Sequence, residues 1–228
     1  ILFQIPFRDV QLELYSLSNH EHIARSLIGE KETDFRSYLL KAKATNPDAL
    51  VCSGLVDETV RCLVQSYEVG IPKSVARVAN SVASKVEVPT NAGKAAVGVS
   101  YAAAFAASDT RPIAKDFVKH IKKRYGVVPG HDFSQMEDLL TMLKPALEKA
   151  EKGFSGDLAS DRKAVRDSIA GITNFTGLAS GPISFCAAGS PECRDGNRTP
   201  VMIEYTKGGK NWKTKVAGTV TFNASAGL

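Results

Sequence analysis

A few side chains stand at spacings that could support catalysis or metal binding. His20 and His22 are two residues apart, so on a strand both imidazoles would lie on one face as half of a metal site. No third ligand can be named, and a solvated loop is the simpler interpretation. His131 and Asp132 suggest a pair for general base work, but adjacent residues seldom face one another, and Asp132 suits a helix cap. Ser180 in "LASGP" lacks the strand, elbow and helix that surround a hydrolase nucleophile. The sequence therefore predicts no catalytic residue and no metal site.

The four cysteines form two pairs of different character. Cys186 and Cys193 flank "AAGSPE", a turn-rich stretch of the kind that carries a small disulfide in an exported protein, and we predict a bridge there. Cys52 and Cys62 fall on a strand end and on the helix that follows, where we expect buried thiols. The spacing contains no paired CxxC motif, so a zinc site is not predicted.

Length and composition indicate a globular protein. The chain of 228 residues can form one large domain or two small lobes, and 43% of it is hydrophobic. The longest apolar stretch, "AAVGVSYAAAFAA", is too short to span a bilayer. No basic and apolar leader opens the chain, so we expect that a signal peptide was removed or never existed.

The basic charge does not by itself indicate a nucleic-acid partner. The net charge is +5, and the lysines and arginines are spread along the wet faces of predicted helices. Only "KHIKKRYG" is dense in basic residues, without the aromatic or helix-turn-helix patterns of nucleic-acid binders. We therefore expect no nucleic-acid partner.

The order of the predicted elements indicates an α/β fold. Thr33 can cap a helix that "TNPD" ends, and "ALVCSG" reads as a strand buried on both faces. Asp57 can cap the next helix, which Gly70 closes, and "SVARVAN" is the next strand. Strands separated by helices are typical of a right-handed parallel sheet, in which ligands collect at the carboxyl ends of the strands. Here those ends read "CSGLVDE" and "VANSVAS".

The second half of the chain continues with helices and ends in short strands. "SYAAAFAASDTRP" contains a strand, and Asp109 or Thr110 caps a helix that Gly126 ends. In the longer helix that follows, Pro145 should cause a kink or a break. After a short helix at residues 161–171, the segments "GPISF", "PVMIEYT" and "NWKTKVAG" read as strands.

Taken in order, these segments resemble a known family. "TDFRSYLLKAKATNPDALV", "VGIP", "FVKHIKKRYGVVP" and "DRKAVRDSIAGITNFTGLASGPISF" are similar to type I periplasmic solute-binding proteins of the branched-chain amino-acid (leucine, isoleucine, valine) ABC-transporter class. The resemblance implies an α/β fold with parallel three-layer sheet lobes. It also implies a periplasmic or extracellular receptor, a monomer or weak dimer without a cofactor. Such a receptor captures a small polar organic solute (an amino acid, carboxylate or amide) by lobe closure and delivers it to an ABC permease in the membrane.

Members of that family are considerably longer, and the part that matches corresponds to their second lobe. We therefore expect residues 1–100 to form the second-lobe core, although the first 22 residues match nothing expected there. Residues 101–155 should be crossover helices that pack on a first lobe. Residues 156–228 should return to the second lobe and end in the β segments.

The resemblance also places the solute contacts at the strand ends and near the crossover. The positions it implies are Ser53, Gly54, Leu55, Asn80, Ser81 and Tyr101. Amino-acid binders of this class usually carry a tyrosine near the position of Leu55 and an acid near that of Asn80, and this chain has neither. A carboxylate or amide that lacks the ammonium group therefore fits better than an α-amino acid.

Two other functions stay open. A ligand-sensing receptor domain shares the fold without the transporter. An α/β enzyme would need a nucleophile paired with His131 or His120.

Overall fold

The computed structural model describes residues 10–16, 21–28, 32–179, 182–185 and 199–219, with the first two segments described by their backbone alone. Within these residues the chain alternates strands and helices. The strands are β1 Val10–Ser16, β2 Glu21–Ile28, β3 Ala49–Ser53, β4 Ala76–Ala79, β5 Val99–Ala103, β6 Val201–Lys207 and β7 Lys213–Thr219. The helices are α1 Arg36–Ala44, α2 Val56–Glu68, α3 Glu87–Ala92, α4 Pro112–Tyr125, α5 His131–Glu151 and α6 Leu158–Ala170. Short 3₁₀ turns follow β4 at Ser81–Ser84 and α3 at Gly93–Ala96.

The strands of the described residues join in one sheet with the order β2-β1-β3-β4-β5-β6-β7. β3, β4 and β5 run parallel, with Ala49 opposite Ala76 and Arg77 opposite Val99, which confirms the predicted parallel α/β core. β1 lies antiparallel to both β2 and β3. The opening segment, for which the sequence offered no interpretation, thus adds a hairpin beside β3.

The chain divides into two compact units. Unit 1 comprises residues 1–103 and 202–217, and unit 2 comprises residues 104–201 and 218–228. The largest fully buried side chains of unit 1 are Phe35, Leu39, Leu50, Leu63, Val88, Val99, Ile203 and Tyr205. In unit 2, Phe105 and Leu178 are buried, and the Phe105 ring meets that of Phe117 edge-on at 5.8 Å between centroids.

Several element boundaries differ from the sequence predictions. α1 has Phe35 at its N-cap instead of Thr33, and α2 has Leu55 there instead of Asp57, which lies in the first turn. The sequence predicts a kink or a break at Pro145. The prediction of a break was wrong, because α5 continues through Pro145 as one helix of 21 residues. A proline removes a single backbone donor, and α5 has buried residues both before it, at Ser134 and Asp138, and after it. Ala146 and Ala150 are buried, and the Ser168 hydroxyl of α6 donates to the Ala146 carbonyl at 2.7 Å.

Gly126 ends α4 as predicted, in the left-handed conformation with φ 72°. Among the described residues of "GPISF" (182–185) there is no strand: Ile183 forms an isolated bridge with Phe175, and Phe185 is a second bridge residue, whereas the last two predicted strands correspond to β6 and β7. Among the described helices, none is long and apolar enough to cross a membrane.

Candidate functional site

The loop that connects β3 to α2 lies at the carboxyl end of the parallel strands. We call residues 53–55 the β3–α2 loop. Leu55 is the N-cap of α2, has an extended backbone and makes no side-chain capping hydrogen bond. Its apolar side chain is 62% exposed. The first amide groups of a helix have no partner within the helix, so α2 offers uncapped donors at this edge of the sheet.

A second loop, after β4, is tied to the first. The Asn80 side-chain amide donates to the Gly54 carbonyl at 2.9 Å, and the hydroxyl of buried Thr59 in α2 points at the same carbonyl at 3.4 Å. The Asn80 Oδ1 atom is buried and has no hydrogen-bond partner in the described part of the chain. Ser81 follows directly and begins a 3₁₀ turn. Five of the six predicted contact positions therefore lie on two loops that a hydrogen bond joins.

Tyr101, the sixth position, lies deeper in unit 1. It is on β5, only 4% exposed, and its ring centroid lies 5.3 Å from that of Tyr205. Burial raises the pKa of Tyr101 to about 12 and also raises the pKa of Tyr205 above its ordinary value. The Tyr205 hydroxyl donates to the Ala83 carbonyl in the 3₁₀ turn after β4. Tyr205 thus supports the second loop from within the core, and Tyr101 packs against the Tyr205 ring.

The cysteine predictions need a correction. Cys52 and Cys62 are both buried, but they form a disulfide with 6.1 Å between their Cα atoms, so the expectation of two thiols was wrong. α2 folds back over the strand that precedes it, and this return brings two residues ten positions apart within bonding range. The disulfide encloses the β3–α2 loop. Cys186 and Cys193 lie outside the described residues, and a bridge between them stays a prediction.

The structure describes only some of the other candidates that the sequence offers for catalysis or metal binding. His131 Nε2 lies 2.8 Å from Asp132 Oδ1 at the start of α5, so the expectation that these neighbours would not face one another was wrong. His120 lines a separate cleft of about 600 Å³ in unit 2. Ser180 and His20 lie outside the described residues. Within the described part, no group of three histidine, cysteine or acidic side chains could hold a metal ion.

Sequence reasoning missed a clamp in unit 2. The carboxylate of buried Asp138 accepts from the Leu178 amide at 2.6 Å and the Ala179 amide at 2.7 Å. Arg111 donates to carbonyls of the same segment, Leu178 O at 2.6 Å and Gly177 O at 3.2 Å. Asp138 lies in α5 among apolar residues such as Met136, Leu139 and Leu140, so the helical pattern gave no sign of this contact.

A match to a protein-family sequence model identifies the family of the chain. The model described as "Periplasmic binding protein" matches residues 23–194, which is most of the chain. The chain belongs to this family. No curated protein sequence matches the chain significantly.

Solved structures of this periplasmic binding protein fold are similar to the chain over most of its length. A leucine-binding protein, LivK, from Thermotoga maritima is 24% identical with a TM-score of 0.68, over 85% of this chain and 50% of that one. LivJ from Streptococcus pneumoniae, in complex with isoleucine, is 21% identical with a TM-score of 0.68, over 86% and 51%. A solute-binding protein from R. palustris, in complex with benzoate, is 16% identical with a TM-score of 0.68, over 87% and 51%. The chain thus spans about half the length of these proteins.

Proposed function

We propose that this chain is the extracytoplasmic solute-binding component of an ABC importer and that it captures a small polar organic solute. The observation that carries the proposal is the junction of the β3–α2 loop with Asn80 at the carboxyl edge of the parallel strands. This is the place where open α/β sheets bind ligands. Family membership and the solute-binding proteins of the same fold support it.

The polar groups at the junction suggest the chemistry of the solute. The uncapped amides of α2 suit a carboxylate or another oxygen-rich group, and exposed Leu55 suits an apolar body. Asn80 Oδ1 and one Glu58 carboxylate oxygen are buried acceptors that have no hydrogen-bond partner among the described residues, which suits an N–H donor on the same solute. These groups support an amino acid, a carboxylate or an amide as the solute class.

We further propose that unit 1 is the second lobe of a two-lobed binding protein and that the crossover helices α4 and α5 pack on a first lobe. α5 exposes large apolar side chains, among them Met136, Leu139 and Leu140, which suit burial against another layer. The solute would then be enclosed by closure of the two lobes, and the closed form would dock on a membrane permease.

Binding to a defined panel tests the proposed function. Leucine, isoleucine, benzoate and 3,4-dihydroxybenzoate are the solutes to titrate by calorimetry, since they are the ligands that the similar proteins are named for or bind. Leu55→Asp should abolish the binding of any solute that the chain binds, because it places a negative charge beside the apolar body of that solute. Val97→Asp is the matched control, since Val97 is also exposed but precedes β5 at the opposite end of the strands. Equal loss in both variants, or no binding by any member of the panel, would contradict the proposal.

A ligand-sensing receptor of the same fold is the second candidate. A similar structure from Rhodopseudomonas palustris HaA2, 21% identical with a TM-score of 0.62, is described as an extracellular ligand-binding receptor. An importer component should stimulate the ATPase of its reconstituted permease in the presence of solute. A sensor should bind the solute without that stimulation.

A further inference from the structure

The β3–α2 loop is fastened at its base and at its centre. Cys52 directly precedes the loop, and its disulfide to Cys62 joins β3 to the second turn of α2. Between these two points, the Gly54 carbonyl accepts from Asn80 and lies within 3.4 Å of the Thr59 hydroxyl. A covalent bond and side-chain hydrogen bonds therefore converge on one short segment.

The start of α2 lacks a side-chain cap, although Asp57 and Glu58 in its first turn complement the helix dipole. Leu55, its N-cap, makes no side-chain capping hydrogen bond, and helices without a cap fray more readily at the N-terminus. Fraying of the first turn would move residues 53–55 and carry the Gly54 carbonyl away from the Asn80 amide. The Cys52–Cys62 disulfide limits the fraying to the residues of α2 that precede Cys62.

We propose that the Cys52–Cys62 disulfide is a positioning device for the solute-binding loop, so that solute capture requires the oxidised chain. The inference rests on the proposed function for its link to the solute, but its effect on the loop does not depend on any ligand. Both sulfurs are buried, so reductants reach them slowly and the oxidised state is set when the chain folds. Opening the bond consumes two electrons and two protons and leaves two thiols.

Hydrogen exchange of individual amides tests the positioning role. We would compare the wild-type chain, the double variant C52A/C62A and Leu39→Ala, whose fully buried site lies in α1 and belongs neither to the loop nor to the two elements that the disulfide joins. The double variant should speed the exchange of amides 54–59 by more than tenfold relative to the strands of unit 1. The expected upper limit is about a hundredfold, the factor that closing a loop of this length provides. Leu39→Ala should speed exchange throughout unit 1 without singling out the loop.

Equal acceleration of the loop and the strands in C52A/C62A would overturn the inference, because the bond would then serve global stability alone. If the double variant fails to fold, wild-type chain held in dithiothreitol replaces it. The reagent is oxidised to its cyclic disulfide as the protein bond opens, and mass spectrometry of alkylated peptides from the same sample confirms that Cys52 and Cys62 themselves have become thiols.

Isoleucine and benzoate are the probes for the link to capture. A solute that binds the wild-type chain should bind C52A/C62A at least tenfold more weakly, while Leu39→Ala should leave its affinity within twofold. Unchanged affinity in C52A/C62A would overturn the dependence of capture on the disulfide. Failure of both probes to bind the wild-type chain would count against the proposed function, and the exchange experiment would still decide the positioning of the loop.

Discussion

The Asp138 clamp in unit 2 allows the stability loss of an Asp138→Asn variant to be predicted from its hydrogen bonds. Each carboxylate oxygen of Asp138 accepts one backbone amide, Oδ1 from Leu178 at 2.6 Å and Oδ2 from Ala179 at 2.7 Å. Asp138 is 4% exposed, so water cannot readily replace either bond. Asp138→Asn keeps the shape of the side chain but replaces one acceptor oxygen with an NH₂ group that can only donate.

The expected cost follows from these two bonds. One backbone amide loses its acceptor inside the protein, which costs about 1–3 kcal/mol. The other bond loses its charge and weakens by about 1 kcal/mol. Asp138→Asn should therefore lower the free energy of unfolding by about 2–4 kcal/mol.

Urea denaturation followed by circular dichroism measures the change. Glu137→Gln is the matched control, because it removes the same charge one residue away on the exposed face of α5 and should change stability by less than about 0.5 kcal/mol. The exchange of the Leu178 and Ala179 amides should accelerate in Asp138→Asn alone. A loss below about 0.5 kcal/mol in Asp138→Asn, or an equal loss in Glu137→Gln, would refute the reasoning.

Three further predictions concern unit 1. Unfolded Tyr101 loses its proton at its ordinary pKa of 10.0 and folded Tyr101 only at about 12, so stability should fall by about 3 kcal/mol as pH rises between these values. Denaturation at several alkaline pH values measures this fall in stability. If the stability of Tyr101→Phe depends on pH as strongly as that of the wild-type chain, the prediction is contradicted. Gly208→Ala should lower the melting temperature, since its methyl group would collide with the Gly93 carbonyl. Gly218→Ala should be neutral, because no atom of the described residues lies within 4 Å of the added methyl group. Asn80→Ala should cost about 1 kcal/mol in urea denaturation by removing the bond between the two loops, and no loss would count against that bond.

Local patterns were sufficient for much of the fold. "ALVCSG" is a short apolar run ending in glycine, and β3 occupies Ala49–Ser53 as that pattern predicts. Gly126 ends α4 because a left-handed residue is needed there. The sequence predicts solute contacts at the carboxyl ends of β3 and β4. In the structure, these ends lead into two loops that are joined by the hydrogen bond from Asn80 to the Gly54 carbonyl.

The errors arose where distant residues decide the outcome. The Cys52–Cys62 bond depends on α2 folding back over β3, which spacing alone does not encode. The continuity of α5 through Pro145 depends on its contact with α6. The pairing of β1 with β3 joins residues about forty positions apart in the chain, a separation that no periodicity reveals.

Similarly, the support of the predicted site was not readable in advance. A solute contact of Asn80 stays a prediction, and the structure shows that its side-chain amide donates to the Gly54 carbonyl. Tyr101 was placed by resemblance, but its burial against Tyr205 follows from a strand late in the chain. Side chains that position a loop leave no local signature, because their partners are set by tertiary contacts.

The most direct test of solute capture by unit 1 is a two-dimensional NMR titration of the isotope-labelled chain with leucine, isoleucine, benzoate and 3,4-dihydroxybenzoate. The proposed function predicts that at least one solute shifts the amide signals of residues 53–56 and 80–81 in a saturable manner and leaves α4 and α5 unchanged. Signals that stay fixed with all four solutes, or that shift only around the cleft between α4 and α5 in unit 2, would contradict it.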